Sequence, residues 1–105
     1  SLLRPSMNLV FNIIDELDRM ILTGLEKEIE IILDSIRTSI LRKLLSVSIR
    51  SFGEPGSILV EDLDESRFEV LTGSTSVTHM KWITRGFEID ENSEKVILRR
   101  AIVGE

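Results

Sequence analysis

Cysteine is absent from this chain of 105 residues, and aromatic residues make up only 5% of it. Without a thiol the protein has no disulfides and no thiolate chemistry, so cysteine content leaves the redox compartment open. His79 is the only histidine, and so the only imidazole available as a general base or metal ligand. With so few candidate side chains, we expect no catalytic residues, no cofactor and no metal site. We therefore expect that the protein is not an enzyme.

Long apolar runs and an excess of positive charge are also missing. No uninterrupted apolar run approaches the ~18 residues of a membrane span, and no signal peptide is recognisable. The net charge of -5 argues against nucleic acid as a default partner. Hydrophobic residues make up 42% of the chain, enough for a core, so we expect a single folded domain over residues 1–105. If the sequence is complete, a cytoplasmic location is favoured.

Apolar residues recur at helical spacing through the first half of the chain. Between Leu25 and Phe52 they follow one another at steps of three or four, and no proline interrupts them. Ser6, which follows Pro5, is a suitable N-cap, so the helical region is predicted for residues 6–52. The first amphipathic stretch has Val10, Ile13, Ile14, Leu17 and Ile21 on its apolar face, and Asp15, Glu16, Asp18 and Arg19 opposite.

The dipeptide Thr23-Gly24 leaves two arrangements open. Thr23 and Glu26 have the spacing of a capping box, and Gly24 suits a helix end, so the chain could turn here into a helical hairpin. The apolar stripe nevertheless continues in phase through this point, which favours one long helix. A single glycine inside a helix costs only ~1 kcal/mol and does not decide between them.

Charge is unevenly distributed along the helical region. Ser35 to Ser51 contains four bases and no acid, whereas the segment before it is mostly acidic. This order matches the dipole of one helix, and it would also let two copies lie antiparallel with acidic and basic halves facing each other. The acids are Asp15, Glu16, Asp18, Glu26, Glu28, Glu30 and Asp34, and the bases are Arg37, Arg42, Lys43 and Arg50.

The second half of the chain has strand periodicity. A junction at residues 52–56 contains Gly53, Pro55 and Gly56, and beyond it apolar residues alternate with polar ones over residues 57–103. Turn residues separate predicted strands at 57–63, 67–72, 76–84 and 95–103, with a bulge or bend at Gly86 and a polar hairpin loop at 90–93. Short polar turns between short strands predict a four-stranded antiparallel β-meander.

The predicted fold class is therefore α+β, with an N-terminal long helix or helical hairpin packed on the meander. Such a small sheet cannot cover the whole apolar ridge, so we expect the remainder to be an interface. Its predicted residues are Val10, Ile14, Leu17, Ile21, Leu25, Ile29 and Ile32. We expect a protein–protein interaction module that forms a homo-oligomer, most simply a dimer with coiled-coil character, or that binds a partner helix.

Two other functions stay open. A long N-terminal helix followed by an antiparallel sheet resembles the soluble part of a type IV pilin or pseudopilin, which implies a structural subunit with about 20 apolar residues upstream. Basic side chains on the last strands, together with Trp82, would suit a small nucleic-acid-binding or regulatory domain. These bases are Lys81, Arg85, Lys95, Arg99 and Arg100.

Overall fold

The computed structural model describes residues 3–53, 57–59, 63–71 and 79–104. Over these residues the chain forms two helices and two β-sheets, which confirms the α+β class. The helices are α1 (Leu3–Leu22) and α2 (Lys27–Leu45). The strands are β1 (Ile49–Phe52), β2 (Ser57–Leu59), β3 (Phe68–Val70), β4 (His79–Thr84), β5 (Gly86–Glu91), β6 (Glu94–Arg99) and β7 (Ala101–Gly104). The predicted junction at 54–56 and the predicted segments at 60–62 and 72–78 lie outside the described residues.

Contacts within the chain group it into two compact units, Ser1–Lys43 and Leu44–Glu105. The first contains α1 and nearly all of α2, and the second contains the strands. A single domain over residues 1–105 remains a prediction.

The helical region is broken at Gly24. Gly24 has a φ of 80°, in the left-handed region that glycine enters without strain, and its N–H donates to the carbonyl of Ile21. The hydroxyl of Thr23 donates to the carbonyl of Met20 at 2.6 Å, so this side chain caps the end of α1. The capping-box role predicted for Thr23 at the start of a second helix is therefore wrong. Of the two predicted arrangements, one long helix is excluded.

The predicted helical region 6–52 is wrong at both ends. Helix α1 already begins at Leu3, which places Pro5 in the first turn, where a missing N–H is tolerated. Helix α2 ends at Leu45, because Ser48 adopts a φ of 68° and its N–H donates to the carbonyl of Leu45. The residues that follow form β1, whose backbone pairs with β5. Apolar spacing alone did not reveal this competing pairing.

The strands form two sheets instead of one meander. One sheet has the order β1-β5-β6 and is antiparallel throughout. The other has the order β2-β4-β7-β3, and β3 runs parallel to β7. The four-stranded antiparallel meander is therefore wrong. Strand β3 does not pair with β4, the next strand in sequence. It lies at the edge of the sheet beside β7 and runs parallel to it.

The chain passes between the two sheets at two breaks. The first break, at Arg85, follows the predicted strand 76–84 and separates β4 from β5. The second break, at Arg100, divides the predicted strand 95–103 into β6 and β7. The predicted bulge or bend at Gly86 corresponds to the break one residue earlier, at Arg85, and Gly86 is the first residue of β5, where a side chain would not fit. A Cβ on Gly86 would lie 2.3 Å from the ring of Phe52 and 2.6 Å from the backbone nitrogen of Ala101.

Backbone groups near the two breaks form hydrogen bonds with a side chain and with the backbone just before β3. The guanidinium of Arg99 donates through Nε and Nη2 to the carbonyl of Arg85, at 3.1 and 2.6 Å. The N–H of Ala101 donates to the carbonyl of Arg67, just before β3. The breaks are thus formed without leaving these buried backbone groups unbonded.

The hairpin between β5 and β6 is tighter than predicted. Its loop is Asn92-Ser93, with φ values of 52° and 67°, and Glu91 pairs with Glu94 directly across it. Two central residues with positive φ are typical of a type I′ turn, whose twist matches that of the flanking strands. Asp90, predicted in the loop, belongs to β5.

The predicted turn around Asp64 and Ser66 is confirmed. The Asp64 carboxylate accepts hydrogen bonds from the backbone N–H and the hydroxyl of Ser66, at 3.0 and 2.8 Å. These two bonds favour the charged carboxylate and lower the pKa of Asp64 below its ordinary value of 3.8. The carboxylate thereby fixes the approach of the chain to β3.

Candidate interaction surface

A buried ion pair joins the two helices. Asp18 on α1 is fully buried, and its carboxylate accepts a hydrogen bond from Arg37 of α2 at 2.7 Å. In a continuous helix these residues would lie about 28 Å apart along the axis, so the contact requires α2 to fold back towards α1. The helices therefore form a helical hairpin, closed by this pair.

Arg37 is held by a second carboxylate as well. Its other terminal nitrogen donates to Asp34, one turn earlier on α2, also at 2.7 Å. Desolvation of the guanidinium opposes its charged form, but the hydrogen bonds to Asp18 and Asp34 outweigh it, and the pKa of Arg37 is raised. Arg37 is consequently a fixed cation inside the hairpin.

The placement of Asp18 corrects the sequence interpretation, which put this residue on the solvent face of the first helix. Phe11, Ile14 and Asp18 follow one another at steps of three and four, so they lie on one face of α1, and all three are buried. Leu17 is buried beside them. The spacing was available in the sequence, but a carboxylate on an apolar face has no explanation until its partner is known.

The residues predicted as an interface fall into three groups. Ile14 and Leu17 are buried within the chain and leave no surface for a partner. Ile29 and Ile32 are exposed on α2. Val10, Ile21 and Leu25 are intermediate between these extremes. The ridge predicted as one continuous surface is therefore divided, and the part that faces solvent is on the second helix.

Helix α2 has no buried residue along its whole length. Its half-buried side contains Leu33, Ile40 and Leu41. On an adjacent side, Ile29, Ile32 and Ile36 lie in one row at steps of three and four, with 45%, 59% and 45% of their surface exposed. We call these three residues the isoleucine stripe.

Charged side chains are arranged by sign along α2. The first turn carries Glu28 and Glu30, and the last turn carries Arg42 and Lys43. Except for Lys27, the first residue of α2, each sign lies where the helix dipole favours it. All four side chains are exposed, so the ends of the isoleucine stripe differ in charge.

The basic side chains of the strands differ in exposure and in the sheet to which they belong. Arg85 is buried, and Arg99 is bonded to the backbone and lies over the ring of Phe87 at 5.1 Å. Lys81 is exposed on β4, whereas Lys95 is exposed beside the hairpin turn after β5. These two lysines therefore belong to different sheets. The arrangement gives little support to a basic groove for nucleic acid.

Candidate catalytic and metal-binding groups are sparse in the described ranges. His79 is exposed at the start of β4, and within those ranges no group of three or more His, Asp or Glu side chains is gathered as a metal ion would require. Glu61 and Asp62, half of an acidic cluster in the sequence, lie outside the described residues.

Neither described helix is both long enough and apolar enough to cross a bilayer.

Comparison with known protein families and with curated proteins found no match for this chain.

Proposed function

We propose that the protein is a non-enzymatic interaction module that self-associates through its helical hairpin. The observation that supports this function is the isoleucine stripe, in which three large β-branched side chains of one helix face are left in water. Burying an isoleucine fully is worth about 1.5–3 kcal/mol, and roughly half of each of these remains to be buried. Against the free-energy cost of association, a stripe of this size supports a weak, concentration-dependent dimer.

The charge order of α2 supports a second copy of the chain as the occupant of this surface. A surface that is acidic at Glu28 and basic at Arg42 is complementary to itself when two copies run in opposite directions. Such a contact is isologous, because the same patch is used on both copies and the assembly closes as a dimer.

Sedimentation of the purified chain at several concentrations tests the proposal. We expect the average mass to rise from monomer towards dimer, and Ile32→Gln to shift the equilibrium back to monomer, because it places an amide in the contact. Ile31→Gln is the matched control. Ile31 is also 59% exposed on α2, but it lies roughly 100° around the helix from Ile32.

Two results would contradict self-association through this stripe. One is a chain that sediments as a monomer at every concentration. The other is a dimer that Ile31→Gln weakens as much as Ile32→Gln does. Circular dichroism of each variant shows whether the helices are retained, since both positions are exposed and neither change is expected to unfold them.

A further inference from the structure

The isoleucine stripe follows the spacing of a coiled-coil seam, in which seven successive positions are labelled a to g. Leu25, Ile29, Ile32 and Ile36 are separated by steps of four, three and four. With Ile29 and Ile36 at a, Ile32 takes position d and Leu25, in the turn before the helix, takes the preceding d. Beyond Ile36 the next core positions are Ser39 and Lys43, so the apolar seam is short and ends within α2.

This assignment places two opposite charges on one flank of the seam. Glu28 and Arg42 both fall at position g, fourteen residues apart. Both side chains are exposed. The remaining arginine of the helix, Arg37, is bonded to Asp18 and Asp34 inside the chain. Glu28 and Arg42 are therefore well placed to meet charges on another helix.

The two possible orientations of a second copy differ in what these charges would face. In a parallel pair a g residue faces the e position of the next heptad, and the e residues here are apolar, such as Leu33 after Glu28. In an antiparallel pair g residues face g residues. Glu28 of each copy then approaches Arg42 of the other, so that the dimer has two equivalent ion pairs.

We infer that two copies of α2 pack antiparallel, with Ile32 of one copy against Ile36 of the other and Glu28 opposite Arg42. This inference rests on the proposed self-association and adds the register of the two helices and the ion pair that fixes their antiparallel arrangement. With Ile32 opposite Ile36, the two-fold axis crosses the pair at the level of residue 34. Glu28 is then level with residue 40 of the second copy. Arg42 of that copy lies about 3 Å further along its helix, a distance that an arginine side chain can span.

Charge reversal tests the orientation. Glu28→Arg and Arg42→Glu each convert both intermolecular pairs to like-charge pairs, so each should raise the dissociation constant about tenfold at low salt. The double variant Glu28→Arg with Arg42→Glu restores both pairs with their signs exchanged and should return to within about twofold of the unmodified chain. Glu30→Arg is the matched control, because this exposed acid of the same helical turn lies at position b, away from the seam.

Sedimentation equilibrium of these variants tests the orientation of the two helices separately from self-association. Weakening by both single changes, recovery in the double variant and no effect at Glu30 support the antiparallel pair. A dimer that tolerates both single changes overturns the orientation while leaving self-association intact. A double variant as weak as the single variants also overturns it. An unmodified chain that stays monomeric contradicts the proposed function itself, and the orientation with it.

Discussion

The carboxylate of Asp18 has no accessible surface, and the group that compensates its charge comes from nineteen residues further along the chain. A buried charge of this kind is tolerated only when a partner and hydrogen bonds replace the lost water. Arg37 supplies both, and its second bond to Asp34 orients the guanidinium. This residue pair thus ties α2 to α1 where the chain folds back after Gly24.

Removing Arg37 should damage the hairpin more than removing the whole pair. We expect Arg37→Met to lower the free energy of unfolding by about 3 kcal/mol, because it leaves the buried Asp18 without its main compensating charge. The double variant Asp18→Leu with Arg37→Met removes both charges and should lose less than about 1 kcal/mol. Urea denaturation followed by far-UV circular dichroism measures both values. Equal losses in the single and double variants would contradict this role.

Residues at turns and breaks determine where the helices and strands of this chain begin and end. Gly24 ends α1, and Gly86 leaves room for the ring of Phe52 where the chain passes from β4 in one sheet to β5 in the other. At the hairpin turn, Asn92 and Ser93 both adopt positive φ, a conformation that asparagine adopts more readily than serine does. Ser93 is therefore a strained position in an otherwise favourable turn.

Replacing Ser93 by glycine should stabilise the protein. Asn-Gly is the preferred sequence for a type I′ turn, and relieving the left-handed serine should raise the free energy of unfolding by about 0.5–1 kcal/mol. The same chemical change at Ser39, in the interior of α2, should lower it by a similar amount, because glycine is a poor helix former. Thermal denaturation of both variants checks the two signs. A destabilised Ser93→Gly variant would contradict the turn assignment.

At the scale of the whole molecule, buried apolar residues are distributed unevenly between the helices. Helix α1 contributes the buried residues Phe11, Ile14 and Leu17, whereas α2 contributes none and carries the isoleucine stripe. A helix with so little buried surface gains little stability from the folded monomer. Association would bury more of the surface of α2 and so add stability, and folding and assembly should then be linked.

This linkage predicts that the melting temperature rises with protein concentration. A partner that binds only the folded chain stabilises it by mass action, and here the partner is a second copy. Ile36→Gln should remove the dependence, because Ile36 lies in the stripe, while Ile31→Gln should preserve it. Calorimetry over a wide range of concentrations measures the effect. A melting temperature that is independent of concentration in the unmodified chain would contradict it.

Local patterns in the sequence were sufficient for the α+β class, the helical periodicity, the break next to Gly86 and the turn at Asp64. These features depend on neighbouring residues, whose spacing and side-chain chemistry can be read directly. The same patterns indicated an apolar ridge with more surface than one small sheet would cover. They could not say which part of the ridge would be left in solvent.

Only the tertiary structure decided the remaining features. It showed that α2 folds back, because an ion pair between Asp18 and Arg37 has no signature in local spacing. It showed that Ile49–Phe52 is a strand, because its hydrogen bonds are made to β5, almost forty residues later in the chain. It also divided the predicted strand 95–103 between the two sheets and paired β3 in parallel with β7. Each of these depends on a partner distant in sequence, and local periodicity carries no information about that partner.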